Sequence, residues 1–268
     1  MSRIGHRFND LRANGRKGFI PFVTAGDPDL AASLEICVKL AELGADVIEL
    51  GVPFSDPMAD GPTIQRSSQR ALEKDVTLND VLQLAGDIRK RSDVAIVLFS
   101  YFNPILRMGI DEFAVAANDA GIDGLLLTDV INDEAADIST RLAEHDIDLI
   151  SLVAPTSTDE RLKAISKTAR GFIYAVSRAG VTGAQTTVSD EAEKLVGRTR
   201  KFTDLPIAVG FGISNAEQIR DVWRFADAAV VGSAIVAEIE KHPDNAVEAV
   251  DSFVRQLLPP VANAGTDT

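Results

Sequence analysis

Eight short apolar runs, each followed by a helix-like stretch, leave a chain of this length few folds to adopt. The runs are FIPFVTA (19–25), DVIELGV (46–52), VAIVLFSY (94–101), GLLLTDV (124–130), DLISLVA (148–154), FIYAVS (172–177), PIAVGFG (206–212) and AAVVGSA (228–234). Near-continuous Val, Ile and Leu marks strands covered on both faces, as in a parallel sheet flanked by helices. Between them, stretches such as DPDLAASLEICVKLAELG and DEFAVAANDAG repeat apolar residues at intervals of three and four, the helical period. A weak internal repeat runs through the chain: LGADVIEL, AGIDGLLL, HDIDLISL and FADAAVVG each place an Asp at the end of a helix and the start of a strand. No linker or shift in composition interrupts it, so residues 1–268 read as one α/β domain, with 259–268 as a frayed tail after two prolines.

Eight βα units in about 250 residues is the content of a (β/α)₈ TIM barrel. A doubly wound open sheet is the competitor, but it carries fewer strands and a Gly-rich fingerprint after the first, where this chain reads TAGDP. The residues before Phe19 predict an extra N-terminal helix that plugs the bottom of the barrel. Gly61 to Arg91 has room for two helices, one more than a βα unit needs.

Composition removes several functions. A formal net charge of −13 repels nucleic acid and anionic membranes. It leaves small phosphates possible, because backbone N–H groups and helix dipoles supply local positive potential. The single cysteine, Cys37, excludes an intrachain disulfide and a cysteine-built metal site, and its amphipathic setting predicts burial. The charged N-terminus lacks a signal-like apolar core, and no segment reaches the roughly 20 apolar residues of a membrane helix. The expectation is a soluble, cytoplasmic protein.

In such a barrel the chemistry gathers at the C-terminal ends of the strands. Glu49 is the most informative residue there. Alternation along the second strand puts Val47, Glu49 and Gly51 on one face and Ile48, Leu50 and Val52 on the other. The apolar set suits the helix layer, so Glu49 points into the mouth of the barrel. Losing hydration there raises its pKa toward a value useful for acid–base work. Asp60, in PFSDPMADGP, reads equally as half of an Asp-Gly turn. Asp27 reads as turn or helix-cap chemistry.

Glycines form the second constellation. The sixth, seventh and eighth strands are followed by or end in SRAGVTG (177–183), VGFGIS (209–214) and VVGSAIV (230–236). Glycine allows a ligand close to the backbone, and GSAIVAEIE opens a helix whose N-terminus favours an anion. Together they match the recurrent phosphate site of TIM barrels. His6, His145 and His242 read as surface residues and Trp223 as packing. No His/Asp/Glu grouping suggests a metal, no serine sits in a nucleophile elbow, and no lysine ends a strand. The residues alone point to a phosphate ester handled by carboxylate acid–base catalysis without a cofactor.

The sequence also resembles the tryptophan synthase alpha chains. The resemblance is carried by PFVTAGDP (21–28), IELGVPFSDPMADGPTIQ (48–65), YFNPI (101–105), YAVSRAGVTG (174–183), VGFGIS (209–214) and GSAIV (232–236), in order over nearly the whole chain. It implies retro-aldol cleavage of indole-3-glycerol phosphate, with Glu49 as general acid–base and Asp60 accepting a hydrogen bond from the indole N–H. It implies that Phe22, Tyr101, Thr128, Leu152, Tyr174 and Phe211 line the indole pocket. Gly183, Gly212, Gly232 and Ser233 would hold the phosphate, and Thr182 would belong to a closing loop. It implies a beta-chain partner in an α₂β₂ tetramer, with pyridoxal phosphate held by that partner and the Pro53–Gly61 loop at the interface. Two departures stand out: Asp129-Val130-Ile131-Asn132 replaces the family's Asp-Leu-Pro, and Phe99 and Phe102 stand where other apolar residues are frequent.

Overall fold

The computed structural model describes residues 2–130, 132–176, 188–210 and 212–258. Thr182, Gly183, Phe211 and the expected tail at 259–268 therefore lie outside the described residues. Eight parallel strands, β1 (Gly18–Thr24), β2 (Val47–Gly51), β3 (Ala95–Ser100), β4 (Gly124–Leu127), β5 (Asp148–Val153), β6 (Ile173–Val176), β7 (Ile207–Gly210) and β8 (Ala228–Val231), close into a barrel in sequence order. Ahead of β1 lies helix α1 (Arg3–Ala13), and α2 (Leu30–Glu42) joins β1 to β2. Two helices, α3 (Pro62–Leu72) and α4 (Leu78–Arg89), follow β2 as the residue count required. The circuit continues through α5 (Phe102–Met108), α6 (Ile110–Asp119), α7 (Asn132–Ala143), α8 (Asp159–Thr168), α9 (Val188–Thr199) and α10 (Ala216–Phe225). After β8 come α11 (Ser233–Lys241) and α12 (Ala246–Leu257).

Strand alternation divides the apolar residues into two cores. Ile48, Leu50 and Val52 join the sleeve between strands and helices, together with Cys37. Inside the barrel, Val47, Val97, Leu126, Ile150, Phe172 and Val230 pack on Ile4, Phe8 and Leu11 of α1. Phe8 meets Phe172 at 5.6 Å between ring centres, so the N-terminal helix does plug the barrel floor.

The repeated aspartates have a structural reason. Three of the four stand where a neighbouring strand begins and leaves an N–H without a helix or ladder partner. Asp46 accepts the N–H of Phe19 at 2.7 Å, Asp123 that of Ile96 at 2.8 Å, and Asp227 that of Ile207 at 2.9 Å. Helix α1 binds to this ring of carboxylates. Arg7 donates to Asp46 at 2.7 Å, while Arg3 pairs with Asp123 and the Ser2 hydroxyl with Asp148.

Asp27 requires a correction. The cap of α2 is Asp29, whose side chain accepts from Ala32 N at 2.8 Å. The Asp27 carboxylate is instead buried and accepts two bonds from Arg70 of α3, both 2.8 Å. A short carboxylate beside a proline looks like a cap in sequence, but here its partner lies 43 residues away.

Candidate active site

A cavity of about 480 Å³ opens at the C-terminal ends of the strands. Its walls bring together Phe22, Glu49, Asp60, Thr128, Leu152 and Tyr174, with Gly212, Gly232 and Ser233 at another part of the lining. None of the described lining residues is Lys, Arg or His, so the cavity contains carboxylates without cationic neighbours in its wall. Among the described residues, no group of three or more His, Cys, Asp or Glu is placed to hold a metal ion.

Glu49 projects from β2 in register with Phe22 of β1 and Val97 of β3. It is 1% exposed, and its Oε1 has no hydrogen-bond partner. A carboxylate so placed loses water and gains nothing in return, and burial alone pushes its pKa up to about 8. At neutral pH it therefore carries a proton that it can donate.

Asp60 reaches the same cavity from the loop after β2. Burial raises it to about 6, with the neighbouring Tyr101 hydroxyl pulling the other way. Asp60 is thus mainly ionised at neutral pH while Glu49 is mainly protonated. Two carboxyl groups with pKa values pushed apart can take different roles.

Tyr101 sits against the loop that carries Asp60. Its ring stacks on Phe54 at 4.7 Å, and its hydroxyl accepts the Ala59 N–H at 2.8 Å. The tyrosine braces the loop that carries Asp60. The Thr128 hydroxyl lies in this region with its oxygen buried and without a hydrogen bond of ordinary geometry. Burial, followed by the nearby Glu49 and Asp60 carboxyls, pushes the Tyr174 phenol well above its ordinary value.

Two further glycines, Gly51 and Gly210, make room for these rings. A Cβ on Gly210 would sit 2.0 Å from the Tyr174 hydroxyl oxygen, and one on Gly51 would sit 2.5 Å from the Phe22 ring. The residues that carry this signal lie diagonally across adjacent strands, so it is seen only once the runs are paired. Phe99 does line the cavity and meets Phe22 edge-on at 5.3 Å. Phe102 packs against the outer core, and its N–H donates to Asp129 at 2.8 Å.

The glycine-lined part suits an anion. Gly212 has φ +59°, a conformation disfavoured for other residues, and nothing lies within 4 Å of where its Cβ would be. Gly232 is the N-cap of α11 and provides no side-chain cap, which leaves the leading N–H groups available to a ligand. Outside this assembly, Asp56 is exposed and accepts from the Ser55 hydroxyl at 2.7 Å.

Comparison with known proteins decides what the cavity belongs to. Residues 8–261 match the family model described as tryptophan synthase alpha chain. The chain belongs to the tryptophan synthase alpha-chain family. The alpha chain of Burkholderia thailandensis is 50% identical over 259 residues, covering 96% of each chain. Among solved structures, the alpha subunit of Legionella pneumophila superposes with a TM-score of 0.88 at 35% identity, covering 96% of this chain and 97% of that one. A chain of the aminoacrylate-bound tryptophan synthase of M. tuberculosis gives 0.87 at 37% identity, covering 96% and 98%. The reaction of an alpha chain of tryptophan synthase is cleavage of indole-3-glycerol phosphate to indole and glyceraldehyde 3-phosphate, and this chain is a lyase of that reaction.

Proposed function

We propose that the cleavage runs on the two carboxyl groups of the cavity. Glu49 gives its proton to C3 of the indole ring, and Asp60 accepts a hydrogen bond from the indole N–H, stabilising the positive charge that spreads onto the ring. Glu49, now a carboxylate, takes the proton of the hydroxyl on the carbon attached to C3. The electron pair of that O–H becomes the aldehyde C=O, the carbon–carbon bond to the ring breaks, and its electrons restore the aromatic indole. One proton leaves Glu49 and one returns, so the enzyme ends as it began. Phe22, Leu152 and Tyr174 shape the ring pocket. Gly212, Gly232 and Ser233 hold the phosphate, joined in this proposal by Gly183, while Thr182 takes part in closure over the substrate. The observation that carries the reading is the buried, unpartnered Glu49, whose protonation at neutral pH supplies the acid.

The proposal extends to a beta-chain partner in an α₂β₂ assembly in the cytoplasm, with pyridoxal phosphate bound only by the beta chain and indole passing to it. In its support, Met58 is 93% exposed on the Asp60 loop, an adaptable apolar side chain of a kind enriched at protein interfaces. The test is indole release from indole-3-glycerol phosphate with and without a beta chain. Turnover that rises on complex formation is expected. A chain that forms no complex, or turnover indifferent to the partner, would contradict the assembly while leaving the lyase chemistry standing.

A further inference from the structure

Asp27, Arg70, Glu240 and Arg66 form a continuous charged chain across the outside of the cavity. Arg70 uses Nε and Nη2 on the two oxygens of Asp27, each at 2.8 Å, and Nη1 on Glu240 at 2.8 Å. Arg66, one turn earlier on α3, holds the same Glu240 with two bonds of 2.7 Å. Both guanidinium groups draw the Glu240 carboxyl down to about 2, the hydrogen bond from Arg66 most strongly. Surface pairs of single charges contribute little, but a bidentate, branched network of four groups anchored on a buried carboxylate fixes geometry.

The elements it joins are those that carry the two parts of the site. Helix α3 begins at Pro62, two residues after Asp60, and its Ile64 lines the cavity. Helix α11 begins at Ser233 beside Gly232 in the glycine-lined part and carries Glu240 in its last turn. Asp27 belongs to the loop after β1, the strand that carries Phe22. We infer that Arg66, Arg70 and Glu240 are positioning residues that set the distance between Asp60 and the phosphate cradle on α11. None of them lines the cavity, so they act through the helices they join. This rests on the phosphate reading of Gly212, Gly232 and Ser233 given above.

The signature of such a clamp is a split between whole and partial ligands. Indole-3-glycerol phosphate spans both parts of the site, whereas glycerol 3-phosphate needs the cradle alone. In Glu240→Gln and Arg66→Ala, kcat/KM for the whole substrate is expected to fall about tenfold, as a misplacement well under 1 Å does. The Kd of glycerol 3-phosphate is expected to stay within about twofold, because the cradle persists and only its distance from Asp60 changes. Arg70→Lys keeps the charge but loses the fork, and should reproduce the split. Equal losses for both ligands would mean that α11 has simply loosened, and unchanged kinetics with a lowered Tm would mean that the network is only structural. Either result overturns the inference. Gly212→Val serves as the separate control. If it leaves glycerol 3-phosphate binding intact, the cradle reading fails and the clamp fails with it.

Discussion

The floor of this barrel and the cavity at its mouth treat buried carboxyl groups in opposite ways. At the N-terminal end Asp46, Asp123 and Asp148 are raised by burial, yet each has partners that favour its charge. Asp123 alone accepts from Arg3, from Arg89 at 2.9 Å and from the N–H of Ile96 at 2.8 Å. In the cavity Glu49 is as deeply buried, but its Oε1 has no partner. The lesson is that burial alone does not mark a reagent. A carboxyl group with a complete set of donors is structure, and one kept without them is stored chemical potential.

That contrast can be broken by substitution at either end. The largest effect on cleavage is expected from Glu49→Gln, which should reduce indole release by at least about 10²-fold, the worth of a positioned acid–base group. Binding of glycerol 3-phosphate should persist. The same variant sharpens the energetic side. The Glu49 pKa is raised from 4.5 in the unfolded chain to about 8 in the fold, so the stability it contributes is complete below 4.5 and is lost as pH rises through 8. Glutamine cannot ionise, and the variant should melt higher than the parent above about pH 8, by on the order of 5 °C. A lower melting point there would mean that the carboxylate is satisfied after all.

Gly212→Val comes next. Its φ of +59° resists a β-branched residue and the new methyls would fill open space in the cavity, so the Kd of glycerol 3-phosphate should rise about tenfold. Binding measured by calorimetry checks it. A smaller change follows from pH alone. Turnover of the parent, as kcat/KM, should fall as Asp60 gains a proton below about 6 and as Glu49 loses its proton above about 8. The smallest effect on chemistry is expected at the barrel floor. Asp123→Ala strands Arg89 and the Ile96 N–H, costing about 3 kcal/mol of stability, while kcat should remain within about twofold of the parent. A melting curve and a steady-state assay on one preparation decide that case.

Much of this is legible in the sequence alone, because period and order are local properties. Alternation placed Glu49 inside, apolar runs located eight strands, and the spacing from Gly61 to Arg91 required the second helix. What remained hidden depended on partners distant in the chain. The aspartate repeat is visible, but its purpose is not, since three of the four carboxylates serve the N–H of a strand that begins elsewhere. Asp27 looked like a cap because its true partner, Arg70, belongs to another helix. Gly210 acquires meaning only once β6 and β7 are paired and the Tyr174 ring lies against it.

Glu49 waits in the free protein as a neutral acid. Infrared difference spectra between the parent and Glu49→Gln, followed through pH 8, read that proton directly. The expected spectrum has a protonated-carboxyl band at neutral pH that disappears with a midpoint near 8. A residue already ionised at neutral pH, titrating near the ordinary 4.5, would contradict it.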